Sequence, residues 1–131
     1  MTPPAPLRVL VVDDEATLRA FMVRALTADG HTVVAAEDGT EALAAIAGAE
    51  TPFDIVVSDI VMPETDGIAL ALKVAKESPG TAVVLISGHP AELERARNLE
   101  ALVSATLAKP FTMDDLRKLV ACLRGDGSRR G

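Results

Sequence analysis

Apolar runs of strand length alternate along the chain with segments that have helical periodicity. The runs are rich in valine, leucine and isoleucine, with few polar interruptions, and lie at residues 7–12, 32–36, 55–57, 82–86 and 106–108. The intervening segments carry apolar residues at steps of three and four, which is typical of amphipathic helices. Strands that are apolar on both faces belong in a parallel sheet covered by helices on each side. The pattern therefore predicts an α/β fold of three layers, with a doubly wound, five-stranded parallel sheet in the middle.

Turn and capping residues mark the ends of the predicted helices. Gly30 is placed to stop the first helix, and Asp38 and Thr112 are placed as N-caps of the second and the last. A weaker helix is predicted from about Pro90 to Asn98. No internal repeat or linker interrupts the alternation, so we expect one domain over residues 7–124, preceded by an N-terminal tail at 1–6 and followed by a flexible C-terminal tail at 125–131.

Composition and charge narrow the classes of function. The chain has 131 residues, a formal net charge of −6, three Phe and no Trp or Tyr. It therefore lacks the basic surface and the stacking aromatics that nucleic-acid binding uses. Its first apolar run is too short to span a membrane, and its single cysteine, Cys122, cannot form an internal disulfide. We expect a cytoplasmic domain that binds neither nucleic acid nor membrane directly.

Polar side chains follow four of the predicted strands. Asp13 and Asp14 close the first strand, Asp59 the third, Ser87 the fourth and Lys109 the fifth. Ligands of open parallel sheets bind at the carboxyl ends of the strands, so we expect these groups to converge there. Clustered carboxylates repel one another, and a hard cation such as Mg²⁺ would stabilise them. Asp59 is then placed to attack a phosphoryl group, while Lys109 and Ser87 stabilise the transferred oxygens.

Several of these polar residues also have a purely structural interpretation. Serine often caps helices, so Ser87 could cap the helix that follows it, and Lys109 could be a solvated lysine beside a proline. His31 follows the Gly30 turn, and we expect it to be exposed rather than a metal ligand, since no cysteine or second histidine is near it in sequence. His89 is expected to start a helix, although its position near Ser87 would let it affect access to Asp59.

The motifs at the strand ends resemble those of the receiver domain of response regulators in two-component signalling, in particular the single-domain receivers of the chemotaxis type. The resemblance extends from Leu7 to about Leu123. It implies a flavodoxin-like sheet of order 2-1-3-4-5, which alternation alone does not determine. The matching segments are Val11-Val12-Asp13-Asp14-Glu15, Ser58-Asp59-Ile60-Val61-Met62-Pro63, Asp66-Gly67, Ile86-Ser87-Gly88 and Lys109-Pro110-Phe111.

The resemblance also implies roles for the site residues. Asp59 would accept a phosphoryl group from a histidine of a sensor kinase or of a histidine phosphotransfer protein. Asp13, Asp14, Asp59 and the backbone carbonyl of Val61 would bind Mg²⁺. The hydroxyl of Ser87 would follow the phosphoryl group, and Lys109 would be its salt-bridge partner, aimed into the acidic pocket by a cis peptide bond to the next residue.

The chain departs from the family's pattern at two places. Receivers usually carry Tyr or Phe three residues before the lysine, and here that residue is Thr106. The usual Gly-Ala pair before the fifth strand is replaced by Leu102-Val103-Ser104-Ala105. The phosphorylation motifs are therefore intact while the usual output element is altered, and we expect the fourth helix to be the mobile element.

Three classes of protein use a phosphoaccepting aspartate. The first is a receiver without an effector domain, which docks to a downstream protein when it is phosphorylated. The second is an intermediate that passes the phosphoryl group onward in a relay. The third is a phosphatase-type enzyme, which would place a second acid at the position of Val61, where valine cannot transfer a proton. We therefore expect no enzyme beyond slow autodephosphorylation. A whole protein and a piece of a longer regulator or hybrid kinase both fit the sequence.

Overall fold

Five parallel strands form the central sheet in the described part of the chain, residues 6–63, 65–99 and 101–130 of the computed structural model. The strands are β1 (Arg8–Val12), β2 (Thr32–Ala36), β3 (Ile55–Asp59), β4 (Ala82–Ser87) and β5 (Ala105–Ala108). They lie in the order β2-β1-β3-β4-β5, and each neighbouring pair is parallel. The predicted fold class and the strand order implied by the resemblance are both confirmed.

The helices alternate strictly with the strands. They are α1 (Ala16–Ala28), α2 (Gly39–Gly48), α3 (Gly67–Glu77), α4 (Pro90–Arg97) and α5 (Met113–Arg130). Asp38 caps α2 by accepting a hydrogen bond from the backbone N–H of Glu41. Thr112 and Asp115 cap α5 reciprocally, each side chain accepting from the other residue's backbone N–H. The predicted starts of these two helices are therefore confirmed.

The last helix is longer than the sequence predicts. The predicted boundary falls after residue 124, with a flexible tail beyond it, whereas α5 continues to Arg130 and includes residues 125–130. Each glycine there costs a helix about 1 kcal/mol relative to alanine, which weakens this end without terminating it. Residues 1–5 of the predicted N-terminal tail, and Gly131, lie outside the described residues.

Two hydrophobic clusters hold the helices against opposite faces of the sheet. Val9, Val11 and Val57 point towards α1 and α5, and Leu10 and Val56 point towards α2, α3 and α4. Every residue of β3 is buried, as expected for a central strand covered on both faces. Each fully buried Val, Leu or Ile side chain contributes about 1.5–3 kcal/mol. The strand ends therefore extend from a sheet that is buried on both faces.

The start of α3 is packed directly on the end of β3. The backbone N–H of Gly67 donates to the carbonyl of Ile60 at 2.7 Å. A Cβ at Gly67 would overlap the carbonyl oxygen of Asp59 and lie 2.8 Å from the Cα of Ile60. Glycine is therefore required at residue 67, because the two backbones could not otherwise approach so closely around Asp59.

The prediction that His31 is exposed is wrong. His31 is 8% exposed, and its Nδ1 accepts a hydrogen bond from the backbone N–H of Leu7 at 3.0 Å. The pairing of β2 with β1 places the residue before Thr32 over the start of β1, where Thr32 also donates to the carbonyl of Leu7. Histidine here completes the hydrogen bonding of the strand entry. Among the described residues, no helix is both long and apolar enough to cross a membrane.

Candidate functional site

Three carboxylates meet at the carboxyl edge of the sheet. Asp13 follows β1, Asp59 ends β3, and Asp14 lies beside them, each with a carboxylate oxygen within 4.8 Å of the others'. Strands β1 and β3 are neighbours in the sheet, which brings the first and third strand ends together. Asp13 is fully buried and Asp59 is 7% exposed, whereas Asp14 is exposed. The structure therefore assembles the acidic cluster that the sequence predicts.

Asp13 is held on three sides. Its backbone N–H donates to the carbonyl of Ala36 at 3.1 Å, and its Oδ1 accepts from the backbone N–H of Glu15 at 2.8 Å. Its own carbonyl accepts from an Nη of Arg19 at 2.7 Å. Among the described residues, its buried Oδ2 has no hydrogen-bond partner. A buried carboxylate oxygen without a partner is costly in a metal-free protein and is suited to a cation.

The electrostatics of Asp13 follow from this environment. Burial raises the pKa of Asp13 above its ordinary value, and the nearby carboxylate of Asp59 raises it further. The hydrogen bond from Glu15 and the positive charge of Lys109 act in the opposite direction without cancelling the effect of burial. The cluster is therefore short of positive charge, which is the condition under which a divalent cation is stabilising.

Lys109 provides one positive charge at the site. Its Nζ lies 3.1 Å from Oδ2 of Asp59, in an ion pair that is partly buried. Its backbone N–H donates to the carbonyl of Ser87 at 2.9 Å, which ties the end of β5 to the end of β4. The peptide bond between Lys109 and Pro110 is cis, as the resemblance implies.

Ser87 is buried at the end of β4, next to the strand that carries Asp59. The register pairs Asp59 with Ile86, so Ser87 lies one residue beyond it at the same edge. Its Oγ accepts from the backbone N–H of His89 at 3.0 Å, while His89 itself is the N-cap residue of α4. Ser87 thus holds the loop that leads into α4, and its hydroxyl keeps a proton that it can donate.

Two further predicted positions are less enclosed. Val61 follows Asp59 by two residues and is 52% exposed. Because its side chain has no ligand atom, a metal contact there would come from its backbone carbonyl. Thr106 is partly buried in β5 and pairs with Leu85 of β4. A ligand role for the Val61 carbonyl stays a prediction.

Arg19 is a residue of the site that the sequence pattern does not reveal. It lies on α1, six residues after Asp13, and its guanidinium reaches back to the carbonyl of Asp13. An arginine in the first turns of an amphipathic helix is usually solvated, so its type and spacing alone give no signal. Only the tertiary contact with Asp13 reveals its role, and that contact depends on the conformation of the loop between β1 and α1.

The family of the chain follows from comparison with known proteins. Residues 9–121 match the model of the response regulator receiver domain, and the chain belongs to this family. The transcriptional regulatory protein TcrA of Mycobacterium tuberculosis is 35% identical over 125 residues, covering 95% of this chain and 47% of TcrA. The sensor kinase CckA of Brucella abortus is 42% identical over 113 residues, covering 86% of this chain and 12% of CckA. The chain thus spans about half the length of TcrA, and much less of CckA.

Solved structures show the same fold. The chemotaxis response regulator CheY4 of Vibrio cholerae superposes with a TM-score of 0.81 at 26% identity, covering 91% of this chain and 99% of CheY4. NtrX of Brucella abortus superposes with a TM-score of 0.87 at 30% identity, covering 96% of this chain and 28% of NtrX. The chain is therefore a receiver domain of the response regulators, with a fold like that of the chemotaxis regulators.

Proposed function

We propose that this chain acts in the cytoplasm and that Asp59 is a phosphoacceptor, which takes a phosphoryl group from a histidine of a sensor kinase or phosphotransfer protein. The observation that carries this proposal is the setting of Asp59. Its carboxylate lies within 4.8 Å of those of Asp13 and Asp14, and 3.1 Å from Nζ of Lys109. These distances support a nucleophilic role for Asp59, with the acidic cluster available to a cation and the ammonium group of Lys109 close by.

The same carboxylates are the proposed Mg²⁺ ligands. The buried Oδ2 of Asp13 supports this assignment, because it belongs to the acidic cluster and has no hydrogen-bond partner among the described residues. Asp14, Asp59 and the backbone carbonyl of Val61 would complete the protein's ligands. When bound, Mg²⁺ supplies positive charge that stabilises both the carboxylates and the oxygens of the incoming phosphoryl group.

Phosphoryl transfer uses the side chains of Asp59, Lys109 and Ser87. A carboxylate oxygen of Asp59 forms a bond to phosphorus while the bond between phosphorus and the donor's histidine nitrogen breaks. The imidazole leaves with that bond's electron pair and becomes neutral by taking up or keeping one proton. Lys109 balances the charge on the transferred oxygens, and the Ser87 hydroxyl donates to one of them.

The consequence we propose is a switch in binding to a downstream protein. Ser87 is bonded to the loop that enters α4, so a Ser87 drawn towards the phosphoryl group would change that loop. A relay that passes the group to a second histidine is the alternative. The exposed, apolar side chain of Val61 supports a binding role over phosphatase turnover, because no second acid stands at that residue to transfer a proton.

A phosphotransfer profile tests the proposal and separates its two forms. The chain would be mixed with phosphorylated histidine kinases and phosphotransfer proteins of its host, with Asp59→Ala as the control. We expect rapid label transfer from a small subset of donors to the wild type and none to Asp59→Ala. Return of label to a second histidine protein would identify a relay. Equal labelling of Asp59→Ala would overturn the proposal.

A further inference from the structure

We infer that Arg19 is a positioning residue for the metal site, which it serves by holding Asp13 without touching the cation. This inference rests on the proposed function, since it concerns the same Mg²⁺ site. Arg19 lies one turn into α1 and is half-buried, and one Nη donates to the backbone carbonyl of Asp13 at 2.7 Å. Hydrogen bonds from a charged donor are short and roughly twice as strong as neutral ones.

The contact with Arg19 constrains Asp13, the residue whose Oδ2 is proposed to bind the cation. The N–H of Asp13 is bonded to Ala36 of β2, its Oδ1 to the N–H of Glu15, and its carbonyl to Arg19. These three bonds constrain both the backbone and the side chain of Asp13, whereas Oδ2 has no hydrogen-bond partner among the described residues and is left for the cation. Groups that orient a ligand in this way typically contribute about 10- to 100-fold to metal affinity.

Two possible roles of Arg19, one by its charge and one by its position, predict opposite changes in Mg²⁺ affinity when it is replaced. The guanidinium of Arg19 donates to the backbone carbonyl of Asp13, so this contact does not neutralise a carboxylate. A positive charge beside a cation site repels the cation. Removing that charge would strengthen Mg²⁺ binding if Arg19 acted by charge alone, and would weaken it if Arg19 acts by holding Asp13. The sign of the change therefore separates the two roles.

Arg24 provides a matched control. It lies on the same helix, five residues further on, and is exposed. Arg24→Gln removes the same charge from α1 as Arg19→Gln and leaves the bond to Asp13 in place. A third variant, Arg19→Lys, keeps the charge but replaces the guanidinium by a single ammonium, whose reach and geometry differ.

The experiment is an NMR titration of the full chain with Mg²⁺, followed through backbone amide shifts. We expect Arg19→Gln to bind Mg²⁺ about tenfold or more weakly than the wild type, Arg24→Gln to bind within about twofold, and Arg19→Lys to fall between. Before any Mg²⁺ is added, the amide of Glu15, which donates to Asp13, should shift in Arg19→Gln and not in Arg24→Gln. This second readout does not depend on phosphorylation or on the metal.

The outcomes separate the inference from the proposed function. If the wild type binds Mg²⁺ and Arg19→Gln binds it equally or more tightly, the positioning role is overturned while the metal site stands. If the wild type binds no Mg²⁺, the proposed site and this inference fail together. If circular dichroism shows that Arg19→Gln does not fold, Arg19→Lys decides: weaker binding than wild type supports the inference, and unchanged binding overturns it.

Discussion

The carboxylate of Asp13 has two opposing properties at the scale of the single residue. Its ionised form is the one a cation requires, yet burial raises its pKa and disfavours that form. An acid whose pKa is higher in the folded protein than in the unfolded chain lowers stability as the pH rises above the unfolded value, and does so fully above the folded value. In the metal-free protein, Asp13 therefore destabilises the fold at neutral pH.

Asp13→Asn should stabilise the metal-free protein. We expect the free energy of unfolding at neutral pH in EDTA to rise by about 1 kcal/mol or more, because the buried charge is removed. The gain should shrink as the pH falls through the raised pKa towards 3.8, the ordinary value for aspartate. The wild-type carboxyl is then protonated, so it is uncharged like the asparagine that replaces it. Urea unfolding across this pH range measures it, with the exposed Glu37→Gln as the charge control. A loss of stability in Asp13→Asn at neutral pH would contradict this interpretation.

His31 offers a second test at the same scale. Replacing it by Phe keeps a ring but removes the acceptor for the backbone N–H of Leu7. We expect a loss of about 1–3 kcal/mol in the free energy of unfolding, as is usual when a buried donor is left unpaired. The exposed His89 serves as the control, and His89→Phe should change stability by less than about 0.5 kcal/mol. Equal effects of the two substitutions would show that the bond to Leu7 contributes nothing.

At the scale of elements, the junction between β3 and α3 is a tight backbone contact around Asp59. Gly67→Ala introduces a methyl group where the carbonyl of Asp59 and the Cα of Ile60 already lie. We expect a loss of about 1–3 kcal/mol from overpacking. A Cβ added at Gly48, at the end of α2, would meet no atom within 4 Å, so Gly48→Ala should be neutral or stabilising by up to about 1 kcal/mol. Chemical unfolding of both variants tests the contrast, and a tolerated Gly67→Ala would refute it.

Helix α4 is the shortest of the five described helices, at eight residues. Leu93 and Ala96 are its buried residues, and Arg95 forms an ion pair at 3.2 Å with Asp66, the N-cap residue of α3. Both partners are substantially exposed, and such pairs contribute about 0–1 kcal/mol. This ion pair therefore offers little resistance to the predicted movement of α4.

Binding of beryllofluoride, a phosphoryl mimic, should test the movement of α4. We expect large amide shift changes over residues 87–108, because Ser87 is bonded to the loop that enters α4. The changes should persist in Thr106→Ala, since threonine is too small to act as the usual aromatic switch. Arg95→Gln, which breaks the tie to Asp66, should enlarge them. Changes confined to the acidic cluster would contradict a moving helix and favour a phosphate relay.

At the scale of the whole molecule, most of the fold could be predicted from the hydrophobic pattern. Alternating apolar runs and helical segments predict the parallel sheet and its two helix layers, while the strand order needed the resemblance, because alternation fits several orders. The site was predictable from the strand ends, since Asp13, Asp59, Ser87 and Lys109 each close a strand of the same sheet. Contacts set by loop turns and register, such as Arg19 with Asp13 and His31 with Leu7, were not predictable from residue type and spacing.

The most direct test of the proposed phosphoacceptor is phosphorylation of Asp59 by a small phosphodonor. The wild type would be incubated with acetyl phosphate, with Mg²⁺ or with EDTA, and the modified peptide located by mass spectrometry after reduction with borohydride. We expect an acyl phosphate at Asp59 with Mg²⁺, little or none with EDTA, and none in Asp59→Ala at any site. Labelling that is independent of Mg²⁺, or that persists at the same rate in Asp59→Ala, would contradict the central claim.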